Sequence, residues 1–158
     1  MEINVLIEEG LEVELEAEWL QRIVEKTLEA EKAPPNAEIS LVITGQERIR
    51  ELNREYRGRD QPTDVLSFAL NEPKTAPEPA VFIGPPDGLL HLGEVIISYP
   101  QSVIQAREQG HSLREEMAVL IVHGVLHILG YDHEKRRRAP SMAAREREIL
   151  AGIAEETA

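Results

Sequence analysis

The stretch "SLREEMAVLIVHGVLHILGYDH", residues 112–133, predicts a long helix that lies inside the protein. Ser112 and Glu115 match the S-x-x-E capping box that begins a helix, and Gly130 can end it by adopting the left-handed conformation. Between these ends, apolar side chains surround the helix almost completely: Met117, Val119, Leu120, Ile121, Val122, Val125, Leu126, Ile128 and Leu129. Because a helix that is apolar all round belongs in a core, we expect this one, running to about Leu129, to organise the fold.

Two histidines interrupt this apolar helix, and a third follows closely. His123 and His127 are four residues apart, so they lie on one face of a helix, one turn above the other. If the chain reverses at Gly130, His133 can return to the same point. Three neutral imidazoles leave the fourth tetrahedral position of zinc open to water, which is the arrangement of a catalytic site. The spacing therefore predicts a Zn²⁺ ion, one per chain, bound by His123, His127 and His133.

An alternative is that the histidines are hydrogen-bonded core residues, although three so close together make that less attractive. The neighbour of the first histidine, Gly124, bears on the chemistry. In H-E-x-x-H peptidases that position holds the glutamate that acts as general base. Asp132 and Glu134 are nearby carboxylates that could move a proton instead. The identity of the general acid or base is left open by these residues.

The composition indicates one globular domain, 1–158, in a reducing compartment. A chain of 158 residues with 42% hydrophobic content can bury a core without covalent cross-links. It contains no cysteine, no apolar run long enough to cross a bilayer and no export signal at its start. We therefore expect a cytoplasmic protein without membrane contact.

The charge distribution is uneven. The formal net charge is −12, and seven glutamates without a basic residue occupy residues 1–18. Such a balance disfavours general attraction of polyanions, because nucleic-acid binding depends on Lys and Arg. Two local basic clusters are exceptions to this negative charge. They are Arg48, Arg50, Arg54, Arg57 and Arg59, and the basic residues 135–138. A local positive groove is therefore compatible with a chain that is acidic overall.

Outside the central helix, the sequence predicts alternating strands and helices. The predicted strands are 3–7, 38–44, 63–70 and 93–99, and the predicted helices are 16–33, 46–57, 100 to about 110, and 141–153. This order favours a βαβαβ start with largely parallel pairing and right-handed crossovers. We predict an α/β (or α+β) fold with a four-stranded mixed sheet and about five helices. Five of the ten prolines fall in 73–86, so residues 71–90 are expected to form an irregular loop that could cover a site.

The sequence resembles the YbeY family of bacterial endoribonucleases. The motif His-Gly-x-Leu-His-x-x-Gly-Tyr-Asp-His at 123–133 is similar to the family signature, and "ELNREYRGRDQPTDVLSF" (51–68) resembles its other shared segment. "LGEVIIS" (92–98) is similar to a third segment, and Met142, Glu146 and the pair at 149–150 resemble the C-terminal helix. The order of these segments along 45–150 is that of the family.

The resemblance implies a zinc-dependent endoribonuclease specific for single-stranded RNA. It would act in 3′-end maturation of small-subunit ribosomal RNA and in ribosome quality control, with the small subunit and the GTPase Era as partners. The three histidines would bind zinc and, with Arg57, form the catalytic set. A guanidinium suits this chemistry because it can clamp two phosphoryl oxygens. Arg57, Arg59, Thr63 and Asp64 are the predicted substrate-binding residues.

Two other functions share parts of this pattern. A zinc peptidase, or another zinc hydrolase, would have the same histidine spacing, but Gly124 counts against it. A noncatalytic ribosome assembly factor could use the metal only to brace the chain after Gly130. We therefore predict the endoribonuclease and keep the other two as alternatives.

Overall fold

A four-stranded mixed sheet forms the centre of the computed structural model, which describes residues 1–70, 88–131 and 139–158, except for the side chains of 139–141. The strands are β1 (Glu2–Ile7), β2 (Ala37–Thr44), β3 (Val65–Ala69) and β4 (Leu90–Ser98). The described residues form six helices: α1 (Ala17–Ala30), α2 (Gln46–Arg57), α3 (Tyr99–Gln109), α4 (Leu113–Ile128), α5 (Ala139–Gly152) and α6 (Ala154–Thr157). The predicted α/β fold is confirmed, and a short sixth helix is added to the five expected.

The strand order is β1-β2-β4-β3. β1 and β4 both pair in parallel with β2, whereas β3 pairs with β4 in the antiparallel direction. The expected βαβ start is present, but β3 does not continue it as a third parallel strand. It lies at the edge of the sheet beside the strand that follows it in sequence, and antiparallel neighbours need no crossover helix.

Hydrophobic alternation divides the core between the two faces of the sheet. One face of β2 and β4 contributes Ile39, Leu41, Ile43, Val95 and Ile97 to a large cluster with α1, α4 and α5. The opposite face contributes residues such as Ile96 and Leu66 to a smaller cluster under α2, centred on Ile49. The two faces follow from the period-2 alternation of strand side chains. Helices α2 and α4 therefore lie on opposite faces, with the edge strand β3 between them.

Helix α4 is the buried helix that the sequence predicts. Most of its residues are buried, and it contacts α1, α3, α5, β3 and β4. Its capping box is present: the Ser112 side chain accepts from the backbone of Glu115, whose side chain accepts from the backbone of Ser112.

Several sequence expectations concern segments that the structure does not describe. Residues 71–87 of the predicted proline-rich loop, Asp132, His133, Glu134 and the basic run 135–138 all lie outside the described residues. For these segments the expectations stay predictions. Within the described residues, strand β4 begins at Leu90, which is three residues earlier than predicted and includes the last residue of the predicted loop.

Candidate active site

The C-terminal half of α4 carries His123 and His127 to the surface of the core. Both side chains are partly exposed, although the residues beside them are buried. The helix ends as predicted at Gly130, which has a φ of 105°. The amide of Gly130 donates to the carbonyl of His127, and the amide of Tyr131 donates to that of Leu126. This pair of bonds is the Schellman motif, and it turns the chain directly after the second histidine.

Gly124 lies against the sheet and does not face the site. A Cβ built on it would lie 2.6 Å from Cγ1 of Val95 and 3.2 Å from Oγ of Ser67. The Ser67 hydroxyl donates to the Gly124 carbonyl at 3.2 Å. A glycine here lets α4 approach β3 and β4 closely. The Cβ of a glutamate at this position would clash with Val95.

A carboxylate from α5 contacts the first histidine. Nδ1 of His123 lies 2.5 Å from Oε1 of Glu146. The hydrogen bond to Glu146 raises the pKa of His123, burial of the ring opposes this, and the charges of Glu146 and Asp64 add to the rise. The surroundings of this imidazole therefore favour its protonated form.

The second wall of the site is the segment that follows α2. Gly58 ends that helix with a φ of 71°, in the left-handed region. The buried side chain of Asn53 then donates to the carbonyl of Gln61 at 2.8 Å, and the amide of Arg59 donates to the carbonyl of Asn53. These bonds fold residues 58–62 back over the end of α2.

Arg57 is the last residue of α2 and is held against the edge strand. One of its Nη atoms donates to the carbonyl of Ser67 at 3.0 Å, and its guanidinium carbon lies 5.9 Å from the centre of the Phe68 ring. Both contacts position the head group while the residue stays exposed. An arginine has five N–H donors, so the others can face a ligand.

A cavity of about 550 Å³ connects these walls around the edge strand β3. Its described lining contains two imidazoles and two guanidinium groups, and none of the described lining residues is a carboxylate. The lining residues are Asn53, Arg57, Arg59, Gln61, Pro62, Thr63, Val65, Leu66, Ser67, His123 and His127. A cavity with this lining suits an anionic ligand, despite the net charge of −12.

Most of the predicted site residues in the described part of the chain meet in this cavity. Arg57, Arg59, Thr63, His123 and His127 line it. Asp64 is not in the described lining. Its carboxylate accepts from the amide of Val65 at 2.8 Å and from the side chain of Gln105 at 3.3 Å. These contacts brace the entry to β3, and a role for Asp64 in substrate binding stays a prediction.

The described residues fit a metal ion in part. His123 and His127 lie on one face of α4 and line the same cavity, and a carboxylate contacts the imidazole of His123. Metal-binding histidines usually have such a carboxylate on the other ring nitrogen. No group of three His, Cys, Asp or Glu side chains placed to bind one ion occurs in the described part of the chain, and the third predicted ligand, His133, is outside it. The donor set present is one that suits zinc.

The other two histidines belong to separate polar contacts. Nδ1 of His91 lies 2.6 Å from Glu38, and Nε2 of His111 lies 2.7 Å from Glu116. Neither histidine is among the cavity-lining residues. They are structural pairs in the described fold.

Three contributors to the site were not predicted from the sequence. Asn53 holds the loop after α2, Ser67 accepts from Arg57, and Glu146 contacts His123. Glu146 entered the sequence analysis only as part of a resemblance. Each acts through a contact between separate elements or through a backbone atom. Neither kind of contact can be recognised from residue types and their spacing in the sequence.

Comparison with known proteins supports one family. The family model described as Endoribonuclease YbeY matches residues 5–154. The Endoribonuclease YbeY of Dehalococcoides mccartyi is 51% identical over 137 residues, which cover 85% of this chain and 86% of that protein. The protein of the same name from Moorella thermoacetica is 51% identical over 134 residues, 85% of this chain and 84% of that one. For the Geobacillus thermodenitrificans protein, also of that name, identity is 45% over 145 residues and 91% of each chain.

A solved structure shares the fold. The solution structure of TM1509 from Thermotoga maritima matches with a TM-score of 0.60 and 26% sequence identity, over 98% of this chain and 88% of that one. In the described ranges, no helix is both long and apolar enough to cross a membrane.

Proposed function

The chain belongs to the YbeY endoribonuclease family, and on that premise we propose that it is a zinc-dependent endoribonuclease that cuts single-stranded RNA. Its cellular task in this proposal is 3′-end maturation of small-subunit ribosomal RNA and ribosome quality control, with residues 1–158 acting as one domain. The observation that supports it most is the cavity in which His123 and His127 face Arg57 and Arg59.

The charge of the cavity supports a phosphodiester substrate. Two guanidinium groups and no described carboxylate line it, within a chain of net charge −12. An acidic surface repels RNA in general, so a local positive cavity would admit it only at the reacting position. RNA without a partner strand can present one phosphate to such a cavity, because its backbone is flexible.

The proposed ligands of zinc are His123, His127 and His133. A zinc ion held by three histidines would polarise a phosphoryl oxygen and lower the pKa of a water molecule. The protein's own side chains would hold the ion and bind the substrate. In this proposal His123 and His127 would hold the ion at the exposed face of α4, and the Schellman turn at Gly130 ends the helix directly after them.

Arg57 is proposed to stabilise the charge that develops on the phosphoryl oxygens. Its contacts with Ser67 and Phe68 hold the guanidinium before substrate arrives, so little reorganisation is needed. Arg59, from the loop after Gly58, would bind a neighbouring phosphate, and Thr63, whose hydroxyl donates to Asp64 at 3.4 Å, lines the cavity beside it.

Peptidase chemistry of the H-E-x-x-H kind does not suit this scaffold. That chemistry needs a glutamate next to the first histidine, with its carboxylate reaching the substrate. Gly124 packs on Val95 instead, and the described lining of the cavity has no carboxylate to act as general base. Proton transfer in the proposed reaction therefore falls to a group outside this lining, such as Asp132 or Glu134, or to the substrate.

The same proposal covers location and partners. A substrate on the small ribosomal subunit places the enzyme in the cytoplasm, and contact with the GTPase Era would couple it to assembly of that subunit. The proposed location and partners both depend on the RNA substrate. If the protein does not act on RNA, neither is supported.

The proposal is tested by metal analysis together with cleavage of single-stranded RNA. We expect about one zinc ion per chain in the wild type, and loss of both zinc and cleavage in His127→Ala. Arg57→Ala should keep its zinc but lose about 100- to 1000-fold in cleavage rate, as is typical when one transition-state donor is removed. Arg54→Ala is the matched control, since Arg54 is exposed on the same helix and is not in the described cavity lining.

Two results would contradict the proposal, and a third would show that the cleavage comes from another enzyme. Full cleavage by zinc-free His127→Ala would exclude the metal mechanism, and equal cleavage by all variants would indicate a contaminating ribonuclease. Tight binding of small-subunit RNA without cleavage by the zinc-loaded wild type would favour the noncatalytic assembly factor.

A further inference from the structure

We propose that Glu146 is a positioning residue that fixes the tautomer and the direction of His123 for metal binding. The inference rests on the proposed metal site and adds to it a side chain from a different helix. It assigns a task to helix α5, which supplies no residue to the described cavity lining.

The contact is short and partly shielded from water. Oε1 of Glu146 lies 2.5 Å from Nδ1 of His123, and the two side chains are 22% and 34% exposed. The residues are 23 positions apart, so the bond joins two helices and not two turns of one. A charge-assisted hydrogen bond in such surroundings is stronger than one on an open surface.

The carboxylate is held in place by the packing of α5. Met142 and Ile149 lie four residues before and three residues after Glu146, on the same face of the helix, and are 2% and 3% exposed. Both belong to the large core cluster that also contains residues of α4. Glu146 is therefore presented to His123 by anchored turns on either side of it.

The direction of the bond determines which ring nitrogen can bind a metal. A carboxylate accepts hydrogen bonds, so Nδ1 of His123 carries the proton and donates. In the neutral ring Nε2 then holds the lone pair, and coordination by His123 would be through that atom. Such a partner also raises the basicity of the ligand and restricts rotation of the ring.

Pairing with a carboxylate does not by itself mark a metal ligand in this protein. His91 and His111 have similar partners, Glu38 and Glu116, away from the described lining of the cavity. His123 differs because its ring lines the cavity together with His127. The proposal rests on this combination of the Glu146 contact and the shared cavity.

The first measurement is the tautomer of His123 in the metal-free protein, by ¹⁵N NMR at a pH where the ring is neutral. The wild type should show the Nδ1–H form, and Glu146→Ala should shift the population toward Nε2–H. The matched control is Glu148→Ala, because Glu148 lies two residues away on α5, its side chain is 66% exposed, and its one ion pair among the described residues is with Arg145. That control should keep the wild-type tautomer.

The second measurement is zinc affinity, by competition with a chromophoric chelator. Loss of a carboxylate that is hydrogen-bonded to a metal-binding histidine typically weakens metal binding about 10- to 100-fold. We expect this loss for Glu146→Ala but not for Glu148→Ala. Glu146→Gln keeps the side-chain shape with a weaker acceptor, so it should lose less affinity than the alanine variant. Chemical unfolding of each metal-free variant separates this effect from a loss of stability.

An unchanged tautomer in Glu146→Ala, or wild-type zinc affinity in both Glu146 variants, would overturn the inference. If Glu146→Ala fails to fold, the zinc affinity of the glutamine variant decides the question, because its amide oxygen can still accept from Nδ1. RNA cleavage is not used, so the outcome is independent of the proposed reaction. A chain that needs Glu146 for zinc but never cuts RNA would refute the proposed function and leave this inference standing.

Discussion

Gly124 shows how a single residue can serve packing where sequence motifs suggest chemistry. Its position next to His123 is that of the general base in zinc peptidases. In the structure its missing side chain is what lets α4 rest on Val95 and Ser67. The absence of a glutamate is thus a requirement of the helix–sheet contact.

Gly124→Ala tests this packing role directly. Alanine gains about 1 kcal/mol in helix propensity, but its Cβ would lie 2.6 Å from Val95, and overpacking a core costs about 1–3 kcal/mol. We expect a net loss of up to about 2 kcal/mol in the free energy of unfolding, measured by urea denaturation. Gly152→Ala is the control, since a Cβ there meets nothing within 4 Å. Equal stability of the two variants would show that Gly124 is not needed for close packing.

At the scale of elements, both ends of α4 follow local rules that can be recognised in the sequence. The capping box at Ser112 begins the helix, and the Schellman turn at Gly130 ends it. The partners of α4 follow no local rule. The contacts of its C-terminal half with β3 and α5 bring Ser67 and Glu146 to the histidines.

Ser112→Ala should weaken α4 without changing the metal site. Removing the capping hydroxyl leaves the amide of Glu115 without this acceptor and typically costs about 1 kcal/mol. We expect that loss in chemical unfolding, with zinc affinity unchanged because the cap is three helical turns from His123. Ser112→Asp keeps an acceptor and should restore most of the stability. A large change in zinc affinity in Ser112→Ala would mean that the two ends of the helix are coupled.

For the whole molecule, the main feature is the contrast between an acidic protein and a basic cavity. The net charge is −12, and two of the arginines of the basic segment are paired with carboxylates: Arg48 with Glu51 and Arg50 with Asp60. Arg57 and Arg59 are the ones that line the described cavity. Attraction of RNA should therefore depend on a few specific phosphate contacts.

The salt dependence of RNA binding measures these contacts. For single-stranded nucleic acid, each neutralised phosphate contributes about 0.7 to the slope of log K against log salt. Arg57→Ala and Arg59→Ala should each reduce the magnitude of the slope by about that amount. Arg48→Ala should leave it unchanged, because Arg48 is paired with Glu51 outside the described lining. An equal reduction in Arg48→Ala would show that RNA follows the α2 surface and not the cavity.

Local patterns along the chain were enough to predict most helices and strands, the ends of α4 and the face shared by His123 and His127. These features depend on residues within a few positions of one another, through hydrophobic period, capping and helical spacing. Tertiary structure decided that β3 is an antiparallel edge strand, that Arg57 meets the histidine face across it, and that Glu146 contacts His123. Those contacts join residues far apart in the chain, and they form only when α2, α4 and α5 pack against the sheet and each other. Local periodicity contains no information about which distant side chains that packing brings together.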